Sequence, residues 1–189
     1  MVRELSEREL VEACKRGDRE AFRALFETHK DKVYSVALRY SGDAAAAMDI
    51  AQETFLKLFS RIADFRGDSG IETWLYRLVV NSCLDQKRKS WRMLPLADEI
   101  AGLLRAPGRN AADELLQAEL RSEVQKAIAK LVPELRIVII LRYTEGLSYD
   151  GIAEVLACAP GTVASRLNRA HAVLERRLSH LNGKGGRHA

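Results

Sequence analysis

The sequence predicts an all-α protein: two small helical domains joined by a flexible linker, the second containing a helix-turn-helix. Three observations carry this. Apolar residues recur at three- and four-residue spacing through nearly the whole chain, and no stretch alternates with period two for long. The one break in that texture, from Met93 to Asp113, gathers Pro95, Gly102, Pro107 and Gly108, residue types that end helices and fill linkers. Residues 148–178 then set a short helix, a tight turn and a longer basic helix in succession, the order a helix-turn-helix requires.

Composition supports a folded chain. Of 189 residues, 47% are hydrophobic and 30% charged, which excludes disordered, collagenous and low-complexity classes. Apolar runs such as Ile137 to Leu141 are far too short to span a bilayer. The opening Met1-Val-Arg-Glu-Leu-Ser-Glu is charged and shows no secretory signal core. Cys14, Cys83 and Cys158 are scattered, odd in number and without a CxxC pair, which argues against a disulfide framework or zinc ribbon and fits a reducing cytoplasm. Cys83 and Cys158 read as buried small hydrophobes, Cys14 as partly exposed. The net charge is only +4, so its distribution matters more than its total.

The elements follow in order. Ser6-x-x-Glu9 is a capping box opening a first helix, and Gly17-Asp18 ends it and starts the next. Ala21, Phe22, Leu25 and Phe26, then Val33, Val36, Ala37 and Tyr40, continue the apolar face. Ser41-Gly42-Asp43 is a turn with an N-cap. The helix after it places Ile50, Phe55, Leu58, Phe59 and Ile62 largely on one side. Asp64 to Gly70 is a polar loop, after which Ser69-x-x-Glu72 caps a helix carrying Trp74, Leu75, Leu78 and Val79 as apolar positions. Beyond the linker, which has room for a short turn near Ile100 to Leu104, helical spacing returns at Leu115, Leu116, Leu120, Val124, Ile128 and Leu131. Pro133 suits the first turn of the next helix. The tail from Gly183 reads as frayed.

In the helix-turn-helix, Ser148 caps a helix through Leu156, a turn follows at Ala157 to Ala159, and Pro160-Gly161-Thr162 opens the second helix. Ile152, Ala153, Leu156, Val163 and Leu167 supply the core between the two helices. Thr162, Ser165, Arg166, Asn168 and Arg169 make the other face polar. Arg pairs bidentately with guanine, Asn with adenine, and Ser or Thr reaches a base or phosphate. From Cys158 onward six Lys or Arg oppose one acid, Glu175. The plainer alternative is a pair of amphipathic helices with a solvated basic face. Gly151 inside the first helix costs about 1 kcal/mol against Ala, and Ala157 occupies a turn position that often takes Gly.

A second basic cluster, Arg77, Lys87, Arg88, Lys89 and Arg92 with Trp91 interleaved, opposes only Asp85. With Asn81 it suits a nucleic-acid backbone and exposed bases. It equally suits a helix C-terminus, whose dipole favours cations. Catalytic chemistry has no visible support: G-x-S-x-G, Walker and H-E-x-x-H patterns are absent, and His29, His171, His180 and His188 stand apart from the cysteines. No enzyme activity, cofactor, metal or small-molecule substrate is therefore expected.

Three sets of strings resemble bacterial sigma factors of the extracytoplasmic-function group. Gly17-Asp-Arg-Glu-Ala-Phe22 is similar to the opening of sigma region 2. Asp49-Ile-Ala-Gln-Glu-Thr-Phe55, Phe65-Arg-Gly-Asp-Ser69 and Thr73-Trp-Leu-Tyr-Arg77 to Asn81 resemble the rest of that region. Leu141-Arg-Tyr-Thr-Glu-Gly-Leu-Ser-Tyr149, Ile152-Ala-Glu154 and Gly161-Thr-Val-Ala-Ser-Arg-Leu167 resemble region 4. The match covers residues 10–90 and 115–178, in order.

The resemblance implies a transcription initiation factor that binds core RNA polymerase and directs it to promoters. It implies region 2 over 7–91, a linker over 92–112, region 4 over 113–181 and a tail over 182–189. Asp49, Gln52, Glu53 and Phe55 would meet the clamp helices of the largest polymerase subunit, with region 4 toward the flap. Asp64, Phe65, Arg66, Arg77, Asn81, Lys87 and Arg88 would engage the −10 element. Asn81 would read a base flipped from the non-template strand, Phe65 would wall its pocket, and Arg77, Lys87 and Arg88 would hold phosphates. Arg142, Thr162, Ser165, Arg166, Asn168 and Arg169 would contact the −35 element. Ala164 stands where relatives often carry Lys or Arg, and Ile71 and Glu72 depart from a commoner aromatic or basic pair. An anti-sigma partner, often membrane-bound, is also implied. The competing reading is a stand-alone helix-turn-helix regulator, which would bind duplex DNA unaided, usually as a dimer.

Overall fold

The computed structural model describes residues 6–90 and 111–182, without the side chains of 87–90, 111–119 and 180–182. Eight α-helices account for most of these residues: α1 (Glu7–Lys15), α2 (Arg19–Ser41), α3 (Ala44–Arg61), α4 (Ile71–Ser90), α5 (Ala111–Ala129), α6 (Pro133–Tyr143), α7 (Tyr149–Leu156) and α8 (Pro160–Asn182). A 3-10 turn, Ile62–Asp64, follows α3. No strand occurs among the described residues. The expected turn near Ile100 to Leu104, the tail from Gly183, Trp91 and Arg92 lie outside them.

The helix boundaries follow from local chemistry. The Ser6 hydroxyl accepts from the Glu9 amide at 3.3 Å, and the Glu9 carboxylate accepts from the Ser6 amide at 2.9 Å. That reciprocal pair satisfies two orphan amides of α1. Gly17, at φ +82°, closes α1 with a paired motif: its amide reaches Cys14 O at 2.9 Å and the Asp18 amide reaches Ala13 O at 3.1 Å. Asp18 then caps α2 through Glu20 and Ala21. Gly42, left-handed at φ +73°, ends α2, and Asp43 caps α3 through the Ala46 amide at 2.7 Å. The expected cap at Ser69 shifts by one residue. Helix α4 begins at Ile71, the Gly70 carbonyl accepts from Trp74, and Glu7 of α1 accepts the Ile71 amide at 3.2 Å.

The N-terminal group, α1–α4, closes over Leu25, Val33, Val36, Ile50, Ile71 and Val79, all essentially inaccessible. The C-terminal group, α5–α8, closes over Leu131, Ile137, Leu141, Ile152, Val163 and Leu167. Pro133 sits in the first turn of α6, as its missing N–H allows. Three apolar positions expected inside lie outside: Phe59 is 62% exposed, Leu120 48% and Phe26 41%. The cysteines also differ from expectation, for Cys14 is buried and Cys158 is the accessible one. The two groups touch, α2 against α6 and α4 against α7, and their buried residues form one cluster.

Candidate nucleic-acid interface

Helix α3 presents one largely exposed stripe. Met48, Gln52, Phe55, Leu56 and Phe59 follow helical spacing, with Asp49 at its edge. Met48 is 59% exposed and Leu56 and Phe59 are each 62% exposed. Phe55 is half-buried and meets Phe26 edge-on at 4.7 Å between centroids, while Phe59 stacks obliquely on Phe22 at 4.4 Å. Asp49 and Gln52 are exposed. Glu53 turns away from the stripe: it pairs with Lys57 Nζ at 2.9 Å, and that ammonium also reaches Ser82 Oγ at 3.1 Å. The sequence assigned this face Asp49, Gln52, Glu53 and Phe55. It missed Met48, Leu56 and Phe59, whose only sequence signal is that α3 has more apolar positions than one core face can absorb.

The second surface runs from the 3-10 turn onto α4. Phe65 is half-buried against Trp74, centroids 5.2 Å apart, with the Lys15 ammonium 6.0 Å from the Phe65 ring. Asp64 and Arg66 are exposed beside it. Trp74 and Asn81 are seven residues apart, so they share one side of α4 two turns apart. Asn81 is exposed. Phe65, Trp74 and Asn81 thus border a single surface, whose far end is the C-terminal turns of α4. The side chains of Lys87 and Arg88 lie outside the described residues. Arg77, expected to hold phosphate, is engaged within the chain: its Nε donates to Glu154 O at 3.0 Å, and its Nη2 lies 3.5 Å from Glu154 Oε1.

The third surface is the outer side of α8. Ser165, Asn168 and Arg169 are exposed, Thr162 and Arg166 are half-buried at its margins, and Val163, Leu167 and Ala170 face inward. The hydroxyl of Ser165 donates to Thr162 O at 3.0 Å, and Arg169 Nε donates to Ser165 O at 3.3 Å. Beyond them His171 Nε2 and the Tyr143 hydroxyl share a 2.9 Å hydrogen bond. Arg142 is held locally: Nη1 donates to Leu147 O at 2.9 Å and its guanidinium lies 5.4 Å from the Tyr149 ring centroid. The turn that orients α8 is the Ala157 corner, where the Cys158 amide reaches Ala153 O at 3.0 Å and the Ala157 amide reaches Glu154 O at 3.3 Å.

Between the groups lies a cleft of about 310 Å³ bordered by Lys32, Glu72, Tyr76, Glu145 and Val155. Lys32 and Glu72 form an ion pair on its wall. The Tyr76 hydroxyl donates to Glu145 at 2.8 Å. Burial and then the adjacent Glu145 carboxylate push the Tyr76 pKa far above its ordinary value, so the phenol stays a donor. Among the described residues no cluster of His, Cys, Asp or Glu is placed to hold a metal ion, and no helix is long and apolar enough to cross a membrane.

Comparison with known proteins finds relatives of both helical groups. The family Sigma-70 region 2 matches residues 25–93, and Sigma-70, region 4 matches residues 121–174. The RNA polymerase sigma-H factor of Pseudomonas aeruginosa is 34% identical over 189 residues, covering 96% of this chain and 98% of the relative. The ECF RNA polymerase sigma-E factor of Escherichia coli strain K12 is 36% identical over 192 residues, with the same coverage of 96% and 98%. Among solved structures, CnrH in complex with the cytosolic domain of CnrY superposes at TM-score 0.66 and 25% identity, covering 92% of this chain and 97% of that one. The sigma factor RpoE of Bartonella quintana, in complex with the anti-sigma factor NepR, shares the fold at TM-score 0.62 and 24% identity, covering 84% and 96%.

Proposed function

This chain belongs to the extracytoplasmic-function group of bacterial sigma factors, and we propose that it docks on core RNA polymerase through α3 and selects promoters through α4 and α8. The observation that carries the reading is the stripe on α3. Three large apolar side chains more than half exposed on one helix, with Asp49 and Gln52 among them, mark a protein-docking surface. Phe55 and Phe59 supply aromatic anchors, the side chains that dominate interface energetics. Glu53, paired with Lys57, orients that edge of α3. The clamp helices of the largest subunit are the partner, and region 4 extends toward the flap.

The −10 surface is Phe65, Asn81 and the basic end of α4, with Asp64 and Arg66 at the loop. Asn81 hydrogen-bonds a flipped base while Phe65 and Trp74 flank it; flipping costs a few kcal/mol of stacking and pairing, which such contacts offset. The −35 surface is Ser165, Asn168 and Arg169 in the major groove, with Thr162, Arg166 and Arg142 at its border. Region 2 spans 7–91 and region 4 spans 113–181. The protein acts by binding rather than by catalysis, in the cytoplasm. An anti-sigma partner covers these surfaces when the factor is idle; CnrH, similar in structure, was solved in complex with the cytosolic domain of CnrY. A membrane tether would come from such a partner.

The test is co-elution with core polymerase followed by transcription from genomic fragments. The wild type co-elutes and starts transcripts at discrete sites. A Leu56→Asp, Phe59→Ala double variant keeps its helical signal and melting temperature and loses at least tenfold in core affinity. Undiminished core binding by that variant would overturn the assignment of α3.

A further inference from the structure

We propose that Tyr143 and His171 form a phosphate clamp at the rim of the −35 major groove, holding one backbone phosphate beside α8. The inference rests on the sigma-factor reading and adds two residues to its −35 surface. The Tyr143 hydroxyl and His171 Nε2 are 2.9 Å apart, and the two ring centroids are 5.7 Å apart. Tyr143 is 64% exposed, and His171 is exposed as well. A hydrogen bond between two side chains open to water adds little to folding, because water offers each an equivalent partner. Its effect is to fix the geometry of the pair. When the hydroxyl donates to Nε2, the imidazole keeps Nδ1–H for an outside acceptor. When Nε2–H donates to the hydroxyl, the phenol keeps its own proton for one. Either way one donor remains, on a residue held in place by the other. A donor of fixed direction suits a phosphate oxygen, the acceptor most often contacted on duplex DNA.

Position along α8 favours a phosphate over a base edge. A recognition helix reads bases with its N-terminal residues. His171 lies six residues beyond Ser165, about 9 Å along the axis at about 1.5 Å per residue. The major groove is about 8.5 Å deep, so a side chain that far along stands level with the rim, where the sugar–phosphate backbone runs. His171 also shares a side of α8 with Ala164 and Asn168, seven and three residues before it. Ala164, where the resemblance expects a basic residue, offers that side neither charge nor hydrogen bond. The pair supplies a donor there two turns farther on. On α6, Arg142 is the neighbour of Tyr143 and borders the same surface, so the pair continues an edge rather than starting a separate patch. The charge of α8 favours an anion: Arg166, Arg169, Arg176 and Arg177 oppose the single acid Glu175, which stands one turn beyond His171.

The test is ethylation interference on closed complexes of the full-length protein with core polymerase, at a promoter mapped by transcription. Wild type is compared with His171→Ala, His171→Gln, Tyr143→Phe and Arg169→Ala. In the wild type, ethylation of a small set of phosphates flanking the −35 element blocks binding. His171→Ala and Tyr143→Phe lose interference at the same single phosphate and keep the rest, whereas Arg169→Ala keeps that phosphate. Promoter affinity falls about three- to tenfold in His171→Ala, by the same factor on intact and base-substituted −35 sequences. His171→Gln, which retains an N–H donor, recovers part of the loss. Core affinity, helical signal and melting temperature stay at wild-type values. An unchanged interference map in both variants, or a loss that depends on the −35 bases, would overturn the clamp. So would a loss of core affinity in place of promoter affinity, which would make the pair a protein contact. If the wild type forms no promoter complex with core, the sigma-factor reading fails. Fluorescence anisotropy of the free chain on nonspecific duplex at low salt then decides the clamp by itself: His171→Ala binds more weakly if the pair holds a phosphate and equally if it does not.

Discussion

Ala157 is the only non-glycine residue at positive φ among those described, at φ +49° and ψ +48°. A side chain there costs roughly 1–2 kcal/mol, part of which Gly returns through its freer unfolded state. Ala157→Gly is therefore expected to raise stability by roughly 0.5–1 kcal/mol in urea unfolding, and a loss of stability would contradict the strained corner. The turn and its preference for Gly are visible in the sequence; the left-handed backbone that makes Ala a liability is not. The cysteines show the opposite case. Spacing alone does not say which side of α1 faces α2, so Cys14 reads as partly exposed in sequence and is buried in fact. Burial pushes the Cys14 thiol up from its ordinary pKa and the Cys83 thiol up to about 12, leaving both neutral at physiological pH. Iodoacetamide should modify Cys158 in the native protein and reach Cys14 and Cys83 only on unfolding, as peptide mass mapping would show. Rapid native modification of Cys14 would contradict its burial.

Helix boundaries are the most legible elements, because the caps at Ser6-x-x-Glu9 and Ser148 and the glycine-plus-cap pairs Gly17-Asp18 and Gly42-Asp43 act through local chemistry. Helix α3 is less legible. Leu58 and Phe59 are neighbours of similar hydrophobicity, yet Leu58 is 3% exposed and Phe59 62%. Only the position of α2 and α4 decides which faces inward. Helices α4 and α8 carry the functional contrast. Asn81→Ala should weaken open-complex formation by about 1–3 kcal/mol while leaving core affinity intact, the signature of a lost base contact. Arg169→Ala should weaken closed-complex binding. If its partner is a phosphate, the salt slope falls by about one. Competition assays with −10 and −35 mutant promoters separate the two. Equal loss of core affinity in Asn81→Ala would contradict its place on the −10 surface.

At the scale of the whole molecule, the contacts between groups join residues 69, 77 and 96 positions apart in sequence. No local pattern encodes them. The contact of Arg77 with Glu154 is invisible in the sequence, which shows the helix Arg77 stands on and not the α7 glutamate packed against it. The two helical groups, their order and the basic outer side of α8 are readable because each rests on short-range periodicity and charge. One polypeptide is expected to bridge a polymerase and two separated DNA elements. Hydroxyl-radical footprinting of a mapped promoter with the protein and core polymerase together tests it most directly. Two protected blocks about 25 base pairs apart, near −35 and −10, are expected, present only with both components and each lost selectively in Arg169→Ala or Asn81→Ala. A single block formed by the protein alone, unchanged by core polymerase, would contradict it.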